Sequence, residues 1–108
     1  MNINKYISEY LIYSYLYYCL NYSFISDEEF DIITVVLKDN WELVENSNHP
    51  HKHLLNYDSI CDSTGFDLKG KYPTIVKMTA NMMIKQHELN KNNKMNKNKK
   101  INNINDLF

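Results

Sequence analysis

Apolar and aromatic residues open the chain at helical spacing. Tyr6, Tyr10, Tyr13 and Tyr17 fall on one stripe, and Ile7, Leu11, Tyr15 and Tyr18 fill the stripe beside it. This spacing predicts a first helix over residues 5–21, ending at the turn Asn21-Tyr22-Ser23. Ser26-Asp27-Glu28-Glu29 then carries the signature of a capping box: the Ser26 hydroxyl accepts from the Glu29 amide, and the Glu29 carboxylate accepts from the Ser26 amide. Three acids in the first turn also suit the positive end of a helix dipole. Phe30, Ile33, Leu37 and Trp41, with Val36 and Val44 alongside, give this second helix its buried face, and it fades over residues 41–46. The short connection makes the pair an antiparallel hairpin.

Residues 46–72 show no sustained period. They hold Pro50, Gly65 and Gly70, with Pro73 just beyond, and read as loop with short helical turns. A third helix is expected from about Thr74, directly after Pro73. Ile75, Met78, Met82 and Leu89 supply its apolar stripe, with Val76, Met83 and Ile84 beside them. From Asn90 the composition turns to lysine and asparagine, too polar to offset its own ordering entropy. The expected fold is therefore all-α: a two-helix hairpin, an irregular middle, a third helix, and a disordered tail. Residues 1–89 form the helical domain and residues 90–108 the flexible Lys/Asn-rich tail.

Charge sharpens this division. Residues 1–89 hold seven lysines against twelve acids, a net charge of −5, while residues 90–108 hold five lysines against Asp106, a net charge of +4. The chain has no arginine. Arginine is the preferred bidentate grip on phosphate, so an acidic body without it is a poor nucleic-acid surface. The tail lysines offer only salt-sensitive attraction to phosphates, and no aromatic ring for stacking precedes Phe108. The longest apolar run, residues 10–20, is broken by Ser14 and falls short of the ~20 residues a membrane span needs. Glu9 stands where a signal peptide would lead into apolar sequence, so a cytoplasmic protein is expected. Cys19 and Cys61 are then free thiols rather than a disulfide framework. Heavy use of Asn, Lys, Ile and Tyr without Arg is in keeping with an AT-rich genome, such as that of a phage or a low-GC bacterium.

The junction of the first two helices carries the most specific pattern. Tyr15-Leu16-Tyr17-Tyr18-Cys19-Leu20-Asn21, followed by Ile25-Ser26-Asp27-Glu28-Glu29-Phe30-Asp31, resembles the small N-terminal helical domain of NAD-dependent DNA ligases. That family has Tyr-x-Tyr-(His/Tyr), two residues and an Asp or Asn, then Ile-(Ser/Pro)-Asp-x-Glu-Tyr-Asp. The resemblance covers residues 13–44, with Phe30 in place of the family's tyrosine. It implies a site for the nicotinamide mononucleotide (NMN) half of NAD, with contacts on Tyr17, Tyr18, Asp27, Phe30 and Asp31. The chemistry is sensible on its own terms: an aromatic ring stacks on a flat pyridinium cation, and nearby carboxylates neutralise it and accept ribose hydroxyls. Asp27 and Asp31 are four apart and share one helix face. No Lys-x-Asp-Gly is present, so the lysine nucleophile of ligation is absent and a non-catalytic binder is expected. Its ligand would be NMN, NAD or a related ADP-ribose-type nucleotide, and its role that of a sponge, a sensor or an accessory. The alternative is a protein-interaction module, such as a phage inhibitor of a host protein, that keeps the hairpin as scaffold.

Two further motifs stand apart. His49-Pro50-His51-Lys52-His53 brings three imidazoles into five residues, but a structural zinc site draws ligand pairs from separated segments and no second pair is evident. A packing loop, with neither metal nor cofactor, is the expectation. The terminal Ile104-Asn105-Asp106-Leu107-Phe108 resembles the bacterial sliding-clamp-binding peptide, commonly Gln-Leu-(Ser/Asp)-Leu-Phe, which implies a replication protein as a second conceivable partner.

Overall fold

The computed structural model describes residues 2–61, 68 and 70–102, with the side chains of the last helix followed as far as Lys91. Every regular element among them is helical: α1 (Ile3–Leu20), α2 (Asp27–Asp39), α3 (Trp41–Asn46), a 3-10 turn (Lys52–Leu54), α4 (Tyr57–Cys61) and α5 (Thr74–Asn102). The all-α expectation holds. The clamp-like peptide at residues 104–108 lies outside the described residues.

Helix α1 is the centre of the body. It packs against α2, α3 and α5, and so it buries residues on more than one face: Ile3, Ile7, Tyr10, Leu11, Ser14 and Leu16. Full burial of a large aliphatic side chain contributes about 1.5–3 kcal/mol, and Ile7, Leu11 and Leu16 are all completely buried. The helix stops at Asn21, which takes the left-handed conformation (φ 54°) that asparagine tolerates better than most residues. The amides of Asn21 and Tyr22 both turn back to the Leu16 carbonyl, Tyr22 at 2.8 Å. Six residues later α2 begins at the expected cap: the Glu29 amide donates to Ser26 Oγ at 3.1 Å, and the Ser26 amide donates to Glu29 Oε1 at 3.0 Å.

The second helix departs from its expected length. It breaks at Asn40 and restarts as α3. The Asn40 side chain donates to the Val36 carbonyl at 2.8 Å, competing with the backbone amide that donates to the same oxygen at 3.1 Å. Asparagine readily offers the backbone such an alternative, and the helix turns there. The irregular middle is as expected in outline, with α4 started by Asn56 Oδ1, which accepts from the Asp58 and Ser59 amides. It also supplies core residues: Leu55, Ile60, Leu68 and Tyr72 are buried.

The third expected helix begins at Thr74, with the Val76 and Lys77 amides bonded to the Pro73 carbonyl. It presents a different face from the one the sequence points to. Val76 and Ala80 are buried with Met83 and Ile84 half-buried, while Ile75, Met78, Met82 and Leu89 are 58, 55, 67 and 45 % exposed. The helix carries two apolar stripes, and the smaller residues of one of them allow close approach to α1. The backbone of α5 continues past residue 89, where the composition sets the start of the tail, to Asn102.

Candidate functional site

The end of α1, the connection and the start of α2 enclose a cleft of about 330 Å³. Tyr17, Tyr18, Asp27, Phe30 and Asp31, the five residues marked by the sequence pattern, all line it. Their convergence follows from local chemistry. The Asn21 turn ends α1 just beyond Tyr17 and Tyr18, and the capping box fixes where α2 starts. Glu29 is spent on the cap, and Asp27 and Asp31 are exposed one turn apart.

The aromatic side chains have distinct surroundings. Tyr17 is 50 % exposed and meets Tyr18 edge to face, with centroids 4.9 Å apart and planes at 89°. Phe30 is half-buried, its ring stacked on the buried Tyr10 at 5.6 Å and 23°. One face of Phe30 is therefore committed to the core.

Sequence reasoning missed part of the lining. Tyr13, Tyr22, Phe24 and Ile25 also border the cleft. Tyr13 lies one turn before Tyr17 on the same stripe, and that spacing was the available signal. Burial raises its hydroxyl pKa, with Glu9 and Glu29 adding to the effect. Tyr22 and Phe24 are held by a contact distant in sequence: their rings are 5.0 Å apart, His87 of α5 packs against both, and the Tyr22 hydroxyl donates to Glu88 at 3.1 Å. Partial burial and the Glu88 carboxylate both raise the Tyr22 pKa. Nothing local in the sequence marks this pairing.

The histidine loop forms the wall of a second, smaller cleft of about 230 Å³, mostly apolar, between α1 and the start of α5. His49 sits 2.8 Å from Ser8 Oγ, a spacing that would suit a nucleophile and its base. The tautomer argues otherwise. The His51 amide donates to His49 Nδ1 at 3.0 Å, so that nitrogen carries the lone pair and Nε2 carries the proton. Nε2 then donates to Ser8 and is in no state to take its proton. Desolvation lowers the His49 pKa, with His51 adding to the effect, which keeps the ring neutral. Among the described residues, no group of three or more His, Cys, Asp or Glu side chains is arranged to hold a metal ion. Cys19 is half-buried and Cys61 exposed, both as free thiols.

No family model matches this chain, and no curated protein and no solved structure matches it either.

Proposed function

We propose that this chain is a small non-catalytic module that binds a nicotinamide nucleotide, NMN or the NMN half of NAD, in the cleft between α1 and α2. One observation carries the reading: Tyr17, Tyr18, Asp27, Phe30 and Asp31, which the resemblance to NAD-dependent DNA ligases singles out, all line one cleft. Its volume is at the lower end of the range for small-molecule sites, enough for the nucleotide half rather than the whole dinucleotide. The pyridinium stacks on Tyr17, whose ring is accessible, and Asp27 and Asp31 face the positive ring and the ribose hydroxyls. Among the described residues no lysine lines the cleft to take an adenylyl group, in keeping with a binding role. The protein acts as a sponge, sensor or accessory in the cytoplasm of a phage-infected or low-GC bacterial cell. In keeping with that location, no helix among the described residues is long and apolar enough to cross a membrane.

Calorimetry with NMN and NAD tests this directly. Removing one partner of a charged hydrogen bond costs about 1.5–3 kcal/mol, or roughly ten- to a hundredfold in affinity. Both aspartates are exposed, so Asp31→Asn should weaken NMN binding near the lower end of that range, with stability unchanged. Absence of heat at millimolar ligand with folded protein overturns the reading.

A second reading is favoured by the outward stripe of α5. Ile75, Met78, Met82 and Leu89 leave a row of large apolar side chains in solvent, as an interaction module would. On that reading a pull-down from host lysate captures a protein partner, and Met82→Lys abolishes the capture.

A further inference from the structure

We propose that the cleft is a cation-selective aromatic cage, which chooses its ligand by a fixed positive charge on nitrogen and discriminates against phosphate. The inference rests on the reading that this cleft is the ligand site, and it names what the site prefers: an N-alkylated pyridinium, with the nicotinamide riboside bound more tightly than its phosphorylated form.

Three features of the cleft carry this. First, its charged lining is of one sign. Asp27 and Asp31 both border it, and among the described residues no lysine or histidine does. Second, rings share the lining with those acids. Tyr17 and Tyr18 meet at nearly a right angle, and Tyr13, Tyr22, Phe24 and Phe30 also border the cleft. The negative faces of aromatic rings attract a cation and do nothing for an anion. Third, two of the amides that would ordinarily hold a phosphate here are already in use. The N-terminus of α2 opens onto the cleft, and free amides at such a terminus bind phosphate. In this protein the Glu29 amide is bonded to Ser26 Oγ, and the Ser26 amide to the Glu29 carboxylate. Asp27, Glu28 and Glu29 fill the first turn, so the dipole is already opposed by three negative charges. A phosphate placed there would meet repulsion and no free arginine or lysine among the lining residues.

A flat cation is therefore the best-matched occupant. Neutral nicotinamide keeps the ring and loses the charge, while NMN keeps the charged ring and adds a phosphate. The two comparisons isolate the two halves of the proposal.

The test is calorimetric titration of the full chain with 1-methylnicotinamide, nicotinamide riboside, NMN, neutral nicotinamide and choline at low salt. The riboside and 1-methylnicotinamide are expected to bind about tenfold or more tightly than neutral nicotinamide, and the riboside about tenfold more tightly than NMN. Added salt should narrow the second difference, because these carboxylates are exposed. The Asp27→Asn/Asp31→Asn variant retains Ser26 and Glu29, hence the cap, and should lose the preference for the riboside over NMN. NMN binding as tightly as the riboside overturns charge selection and leaves the nicotinamide reading standing. Choline binding without any nicotinamide compound upholds charge selection and overturns the nicotinamide reading. No binding by any of the five overturns both.

Discussion

Ser14 and Tyr72 meet hydroxyl to hydroxyl at 2.9 Å inside the core, joining the centre of α1 to the segment that leads into α5. Ser14 also donates to the Leu11 carbonyl at 3.2 Å, so it accepts from Tyr72. In the sequence Ser14 is merely the residue that interrupts an apolar run. In the fold it is a fully buried hydroxyl with two partners.

The pair should therefore be coupled. A neutral hydrogen bond contributes about 0.5–1.5 kcal/mol net, and leaving one buried partner behind costs more than removing both. Ser14→Ala and Tyr72→Phe are each expected to destabilise by about 1 kcal/mol in urea denaturation. The double variant should fall short of the sum by about 0.5 kcal/mol or more. Strict additivity would mean that the two hydroxyls are held independently.

The start of α2 makes a second, simpler prediction. Ser26→Ala removes the acceptor for the Glu29 amide while the residue-26 backbone amide can still donate to the Glu29 carboxylate, at a cost of about 1 kcal/mol. Unchanged stability would mean that the helix starts elsewhere in solution, which would also displace Asp27 and Asp31.

What the sequence makes legible is what is decided locally. The capping box and the Pro73 start of α5 depend on neighbours within a few residues, and both are found where the pattern puts them. Tyr17, Tyr18, Asp27, Phe30 and Asp31 line one cleft because a short turn joins the two helices that carry them. The break at Asn40 is hidden in the sequence because periodicity carries on through it. Only the choice of an asparagine side chain to bond back to Val36 decides it. The outward turn of Met78 and Met82 was illegible for another reason: two stripes of α5 are apolar, and α1 chooses between them. Tyr22 and Phe24 enter the cleft's border through His87 and Glu88, sixty-odd residues away, which no local pattern could indicate.

The orientation of α5 is directly testable. Ala80 is completely buried, so Ala80→Leu forces extra volume into the contact with α1 and should destabilise by about 1–3 kcal/mol. Met82 is two-thirds exposed, and Met82→Lys should stay within about 0.5 kcal/mol of the wild type. The reverse ranking would restore the stripe of Ile75, Met78 and Met82 to the core.

Phe30 and Tyr17 should separate stability from binding. Phe30 stacks on the buried Tyr10, so Phe30→Ala is expected to destabilise the fold by about 2 kcal/mol or more as well as widening the cleft. Tyr17 is half exposed, and Tyr17→Ala should cost under about 1 kcal/mol of stability while weakening nicotinamide binding at least tenfold. Equal losses of stability for the two would show Tyr17 to be a packing residue.

The histidine loop should make stability depend on pH below neutrality. His49 Nδ1 accepts from the His51 amide, and its Nε2 donates to Ser8, an arrangement that requires the neutral ring. Desolvation, aided by His51, lowers its pKa in the folded protein below the ordinary 6.5. The unfolded chain therefore binds a proton first as the pH falls, and protonation favours unfolding. The contribution is fully present above pH 6.5, declines as the pH drops from 6.5 through the lowered folded value, and changes no further below it. Carboxylates titrate at still lower pH, so the informative quantity is a difference between proteins. Wild type and His49→Gln should be compared by urea denaturation at pH 7.5 and at steps down to pH 5. The wild type is expected to lose more stability than the variant across that window, and the gap between them to narrow. Parallel losses in the two proteins would show that His49 titrates normally and that its bond to the His51 amide does not persist in solution.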